Sequence, residues 1–150
     1  MKGFANMNFL SVGSQSSRLR GYEYYLQGMV LSVTKTDETK YKGQVKGSKD
    51  NVYDVMIDIA HPRKSLCNCP KANGNTTLCK HKIAMYFAVN PDGDEATVRE
   101  YESYGSVEEY KREKLYERYW SRVNGMSKSE LKEALLQAWV ELTELENKNR

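Results

Sequence analysis

The apolar positions of the chain change period along its length, and each change marks an element. Leu19, Tyr22 and Leu26 recur at spacings of three and four, which predicts a helix that opens near Ser16 or Ser17 and ends at a left-handed Gly28. Gly21 interrupts that helix, at a usual cost of about 1 kcal/mol relative to alanine. The period then shortens to two. Residues 29–35 are rich in β-branched side chains, residues 41–46 alternate Tyr41, Gly43 and Val45 against Lys42, Gln44 and Lys46, and residues 52–59 align Tyr53, Val55, Ile57 and Ile59 on one face. The short polar connectors at 36–39 and 47–51 favour antiparallel neighbours.

Beyond the sheet the pattern becomes helical again. Residues 83–89 (IAMYFAV) are apolar all round, so a helix over about 80–89 is expected to be buried from two sides, one of them by the sheet. Asn90, Pro91 and Gly93 stop it. Two capping boxes, Ser106 with Glu109 and Ser127 with Glu130, predict two further helices separated at Asn124-Gly125, read as a hairpin. In the second, Leu131, Leu135, Ala138, Leu142 and Leu145 alternate spacings of four and three, too short a seam for an independent coiled coil. The expected fold is α+β: an N-terminal helix, a small three-stranded antiparallel sheet, a buried helix joined to the sheet, and a C-terminal helical hairpin. Its organisation is expected to be a flexible arm over 1–15, a compact module over 16–93 and a charged helical extension over 94–150.

Four residues add chemistry to this pattern. Cys67, Cys69, Cys79 and His81 (CNCPKANGNTTLCKH) hold all three cysteines and one of two histidines as Cys-x-Cys, a nine-residue loop and Cys-x-His. Such soft and borderline donors can close a tetrahedral shell around zinc. Side chains two apart on a strand point to opposite faces, so the chain must bend between Cys67 and Cys69; two apart on a helix they diverge by about 200°, so Cys79 should precede the helix and His81 lie in its first turn. Thioredoxin-like redox sites use a two-residue spacer and iron-sulfur clusters four cysteines, and neither fits. A catalytic zinc would need an open position, whereas four ligands fill the shell, and no Ser/His/Asp set, phosphate loop or His-Glu-x-x-His helix is present. A non-enzymatic role is expected. His61, followed by Pro62 at the end of the third strand, reads as a loop residue.

These residues resemble the SWIM zinc finger, whose Cys-x-Cys and Cys-x-His pairs follow β-strands and open a helix. The resemblance extends from the lead-in RGYEYYLQGMVLSV through QVKGS and YDVMIDI to CNCP and CKHKIAMYF, about residues 18–89. It implies one structural zinc ion and a binding role toward DNA or protein, as in chromatin-associated, transposase and signalling proteins.

Charge bears on the partner through its distribution. Residues 61–93 carry five Lys/Arg against one acidic residue, while 94–150 carry ten against thirteen. Three thiolates and a neutral imidazole around a divalent ion leave a formal charge of about −1, so Arg63, Lys64, Lys71, Lys80 and Lys82 exceed local neutralisation. They form a candidate nucleic-acid surface, with Asn73, Asn75, Thr76 and Thr77 as further phosphate donors and Lys40, Lys42 and Lys46 on one strand face. The plain counter-reading is that lysines guard an exposed sheet edge and offset thiolate charge. Protein recognition is the alternative, through aromatic residues of the C-terminal segment such as Tyr116, Tyr119, Trp120 and Trp139. Those rings are equally suited to covering the second face of the apolar helix. No apolar run is long enough to span a membrane, and clustered free cysteines suit a reducing compartment, so a soluble cytoplasmic protein is expected.

Overall fold

The computed structural model describes residues 8–150. Its elements are α1 (Gln15–Leu26), β1 (Val30–Lys35), β2 (Lys40–Lys46), β3 (Val52–Asp58), β4 (Leu66–Cys67), α2 (Lys80–Val89), α3 (Glu95–Tyr104), α4 (Val107–Asn124) and α5 (Lys128–Lys148). Chain contacts divide it into two compact units, one ending at Val107 and one from Glu108 onward.

The first unit is α+β, with an open antiparallel sheet in the order β1-β2-β3-β4. The sheet has four strands rather than three. Its fourth is the pair Leu66 and Cys67, which lie opposite Met56 and Val55 of β3. Two residues cannot display an alternation, so no period announces this strand. The connection from β3 is held by Asp58, buried at the strand end. Its Oδ1 accepts from Thr39 Oγ1 at 3.0 Å and from the backbone N–H groups of Ala60 and His61 at 3.1 Å each, and His61 Nδ1 stands 3.4 Å from Oδ2. Burial works against ionisation of Asp58, but these donors outweigh it and hold the carboxyl below its ordinary pKa. His61 is thus a loop residue paired to the turn that delivers β4.

The inner face of the sheet presents Val45, Val55 and Ile57, all buried, to α2. Every residue of α2 from His81 to Phe87 is buried. The cover for its other side comes from α1 and the start of the described chain. Tyr22 meets Phe87 edge-on at 4.9 Å, and Phe9 stacks on Tyr86 at 4.8 Å. The expectation that Trp120 and Trp139 fill this role is therefore corrected: they are 56% and 60% exposed. Gly21 explains why α1 comes so close, since a Cβ there would lie 2.4 Å from Ile83 Cβ and 3.0 Å from the Lys80 carbonyl oxygen. Ser14 caps α1 through the Ser17 N–H, and Gly28 follows it at φ +70°.

Residues 1–7 lie outside the described residues, and the expected arm is described only from Asn8. There Phe9 and Leu10, each 1% exposed, belong to the core, and Asn8 Nδ2 donates to Asp94 at 2.8 Å. Asp94 also caps α3 by accepting from the Thr97 N–H at 3.0 Å. Helix α3 lies in the charged stretch before the first predicted capping box and is an element beyond the two helices expected there. It joins the first unit through Tyr101, which meets Tyr22 edge-on and donates its hydroxyl to Glu23 at 3.1 Å.

The second unit consists of most of α4, followed after residues 125–127 by α5, whose capping box at Ser127 and Glu130 is formed as expected. Between them, Tyr119, Val123, Leu131, Leu135 and Ala138 line an open groove. No helix among the described residues is long and apolar enough to cross a membrane.

Candidate metal centre

The four predicted donors converge where β4 and α2 meet. Cys67 reaches the site on β4. At Asn68 the chain leaves the strand: its side-chain oxygen accepts from the Asp54 N–H at 2.9 Å, which pins the bend required between Cys67 and Cys69. The Cys69 carbonyl then accepts from the N–H groups of Ala72 and Asn73, turning the chain back. The loop is closed by its own polar groups, with Asn75 bridging the Lys71 carbonyl and the Thr77 N–H, and Gly74 at φ +73°. Cys79 occupies the N-cap of α2 and His81 its first turn.

All four side chains are buried, and their donor atoms lie within 4.8 Å of one another. A tetrahedral zinc site with Zn–S bonds of about 2.3 Å has edges of about 3.8 Å, so small side-chain adjustments suffice to close the shell. His81 Nδ1 is 3.9 Å from Cys67 Sγ, and the ring lies 4.7 Å from Tyr53 and 5.7 Å from Tyr24. Its other nitrogen, Nε2, is buried without a hydrogen-bond partner. Ligation through Nδ1 requires the neutral tautomer with its proton on Nε2. The donor set fits a metal ion.

The electrostatics agree. A hydrogen bond from the Cys67 thiol favours the Cys79 thiolate and lowers its pKa, while the same bond and burial raise that of Cys67. Ligation of a divalent cation by Cys67 would displace its thiol proton.

The five basic residues assigned to a nucleic-acid surface divide. Arg63 and Lys64 are exposed on the turn before β4, and Lys71 is exposed on the loop with Nζ donating to Ser17 Oγ at 3.2 Å. Lys80 is half-buried, with Nζ 4.3 Å from the centre of the Tyr24 ring. Lys82 is the exception and is corrected: it is 0% exposed, and Nζ donates to the Thr77 carbonyl at 2.7 Å. Burial lowers its pKa, while the charges of Cys79, Cys67 and Cys69 act in the opposite direction. It ties the loop to α2 and compensates the sulfurs. The edge-guard reading of Lys40, Lys42 and Lys46 also fails, because β2 is an interior strand and Lys46 pairs with Asp50 at 2.9 Å.

Folding adds residues that no local motif marked. Arg20 of α1 and Ser48 of the β2–β3 turn meet Ser17, Tyr53, Lys71 and Lys80 around a cavity of about 200 Å³, which Cys69, Cys79 and His81 also line. A neighbouring concavity shares Ser17 and Lys71 and adds Arg63, Ser14, Thr76 and Thr77. No aspartate or glutamate lines either one.

The fold and site define a small α+β module with a buried three-cysteine, one-histidine cluster at the junction of sheet and helix. No family model matches the chain, and no curated protein or solved structure matches it.

Proposed function

We propose that the chain is a non-enzymatic binding module, fastened by one structural zinc ion in a SWIM-type Cys67, Cys69, Cys79, His81 shell, and that it binds nucleic acid, DNA in the first instance. The observation that carries the nucleic-acid reading is the pair of adjoining concavities beside the cluster, which gather Arg20, Arg63, Lys71 and Lys80 with hydroxyl groups and no carboxylate. Cations and hydroxyls without acidic neighbours suit phosphate oxygens, and contacts of this kind position a strand without reading its bases. Zinc serves here as a scaffold: four protein ligands leave no position for a substrate.

A salt series tests the partner. The zinc-loaded chain is expected to bind short DNA duplexes with an affinity that falls steeply with salt. The triple variant Arg63→Glu, Lys71→Glu, Lys80→Glu is expected to flatten the logarithmic slope by roughly 2 to 3, at about 0.9 per phosphate contact. Absence of DNA and RNA binding at low salt would refute this reading. The weight would then move to protein recognition by α4 and α5, where Leu115, Tyr116, Trp120, Leu135 and Trp139 are each about half exposed or more.

A further inference from the structure

From Lys111 to Arg150 no residue is buried, although α5 repeats Leu131, Leu135, Ala138, Leu142 and Leu145 at the spacing of one apolar face. Helices in proteins gain most of their stability from packing such a face, and very small units need a further support, of which oligomerisation is one. The second unit thus carries an apolar surface with nothing over it. That surface is the groove between α4 and α5, about 770 Å³, lined by Tyr119, Val123, Leu131, Leu135 and Ala138.

Charge says what fits there. Two charged residues also line the groove, Arg122 from α4 and Glu141 from α5. Both helices leave the turn at 125–127, so at 1.5 Å per residue Arg122 stands about 3 Å along the hairpin and Glu141 about 20 Å. One end of the groove is therefore positive and the other negative. Arg118, one turn before Arg122, and Glu144, one turn after Glu141, extend each charge along the same helix face. None of these four residues is in an ion pair among the described residues. Lys114 and Glu117 pair with each other at 3.0 Å, and Glu146 and Lys148 offset one another in sign. Residues 114–124 are thus left at +2 and residues 137–148 at −2.

Opposite charges at the two ends of one apolar groove complement the same groove turned end for end. With two copies face to face and their turns at opposite ends, the arginines of each copy come to the end at which the other copy carries its glutamates, and symmetry makes the contact twice. With the turns at the same end, arginines would meet arginines and glutamates glutamates, which like-charge repulsion disfavours.

We propose that this groove is the interface of a homodimer, in which the α4–α5 hairpins of two copies pack face to face, turns at opposite ends, as a four-helix bundle. The face is about 27 Å long, from the 18 residues of α4, and two helices wide, at the small end of stable interfaces. Association in the micromolar range is expected. Such a dimer forms whether or not the chain binds nucleic acid.

Sedimentation equilibrium of the zinc-loaded full chain, over a concentration series reaching hundreds of micromolar, is expected to show reversible exchange between monomer and dimer. Arg118→Glu with Arg122→Glu, and separately Glu141→Arg with Glu144→Arg, are each expected to raise the dissociation constant by about tenfold or more, because two-fold symmetry counts every reversed charge twice. Mixed one to one, the two variants are expected to recover the parent's affinity as a heterodimer, since every arginine pair, native or introduced, again meets a glutamate pair. Recovery on mixing also shows that neither variant has simply failed to fold. A single-chain mass throughout the series would overturn the homodimer, as would two variants that associate like the parent. Weakening in both variants without recovery on mixing would overturn the end-for-end pairing.

Discussion

Cys79→Ser is expected to lose the metal and with it the folded state of the first unit, even though serine is the better residue for the position it enters. Cys79 is the N-cap of α2, with φ −76° and ψ 164° and no side-chain capping bond. A serine there would gain about 1 kcal/mol as a cap. Against this stands the loss of one of the four donors of the proposed zinc site; structural zinc contributes of order 10 kcal/mol or more to folding in small modules. A whole domain is stable by only about 5–15 kcal/mol, so the metal term decides the sign. Metal analysis with far-ultraviolet circular dichroism checks this. A variant that lacks metal yet keeps the melting curve of the parent would show that the cap and the apolar core suffice without it.

The second large effect is expected at Gly21, where helix propensity and packing pull in opposite directions. Alanine or valine in place of a mid-helix glycine is worth up to about 1 kcal/mol in propensity. The new Cβ, however, would stand 2.4 Å from both Cβ and Cγ2 of Ile83, and 3.0 Å from the Lys80 carbonyl oxygen. Ile83 Cβ and a carbonyl cannot swing away through a rotamer change, so α1 and the first turn of α2 must separate. That turn carries His81 and is preceded by Cys79. Gly21→Val is therefore expected to destabilise the unit by about 3 kcal/mol or more, a fall in thermal midpoint of roughly 12–24 °C, and to weaken metal retention together with it. Thermal denaturation at saturating zinc gives the number. An unchanged midpoint would mean that α1 does not seat on α2 in this way.

The parts of the fold legible in the sequence were those whose information is local and repeated. Alternation placed β1 to β3 within one residue or two of their observed ends, and the uninterrupted apolar run placed α2 at Lys80–Val89. The cluster of Cys67, Cys69, Cys79 and His81 was legible because such spacing and soft chemistry rarely arise together without bringing the side chains to one place. Other features depend on long-range packing. The strand pair Leu66 and Cys67 is defined by its partners on β3, and Gly21 is a weakness of α1 by propensity alone but a requirement of its packing against Ile83. Lys82 reads as a surface cation in a basic stretch, and only the Thr77 carbonyl and the nearby sulfurs account for its burial. Phe9 and Leu10 stand in a segment rich in small and polar residues, where two apolar positions set no period. Arg20 reaches the metal side from 47 positions before Cys67, a juxtaposition that no local motif encodes.

These features converge on one physical role for the cluster. Cys67 and Cys69 end the sheet, Cys79 and His81 open the buried helix, and Lys82 with Asn68 holds the connecting chain against both. A metal ion at that junction would link the end of the sheet to the start of α2, in addition to the apolar core they share. The most direct measurement is stepwise removal of zinc from the purified chain by a chelator, followed by backbone amide spectra. The expected result is one ion per chain at the start and loss of dispersed signals from the first unit in proportion to the ion removed, reversed on adding zinc. A chain purified without metal, or one whose first unit keeps its dispersed spectrum after the last ion is withdrawn, would contradict the proposal that zinc holds this fold together.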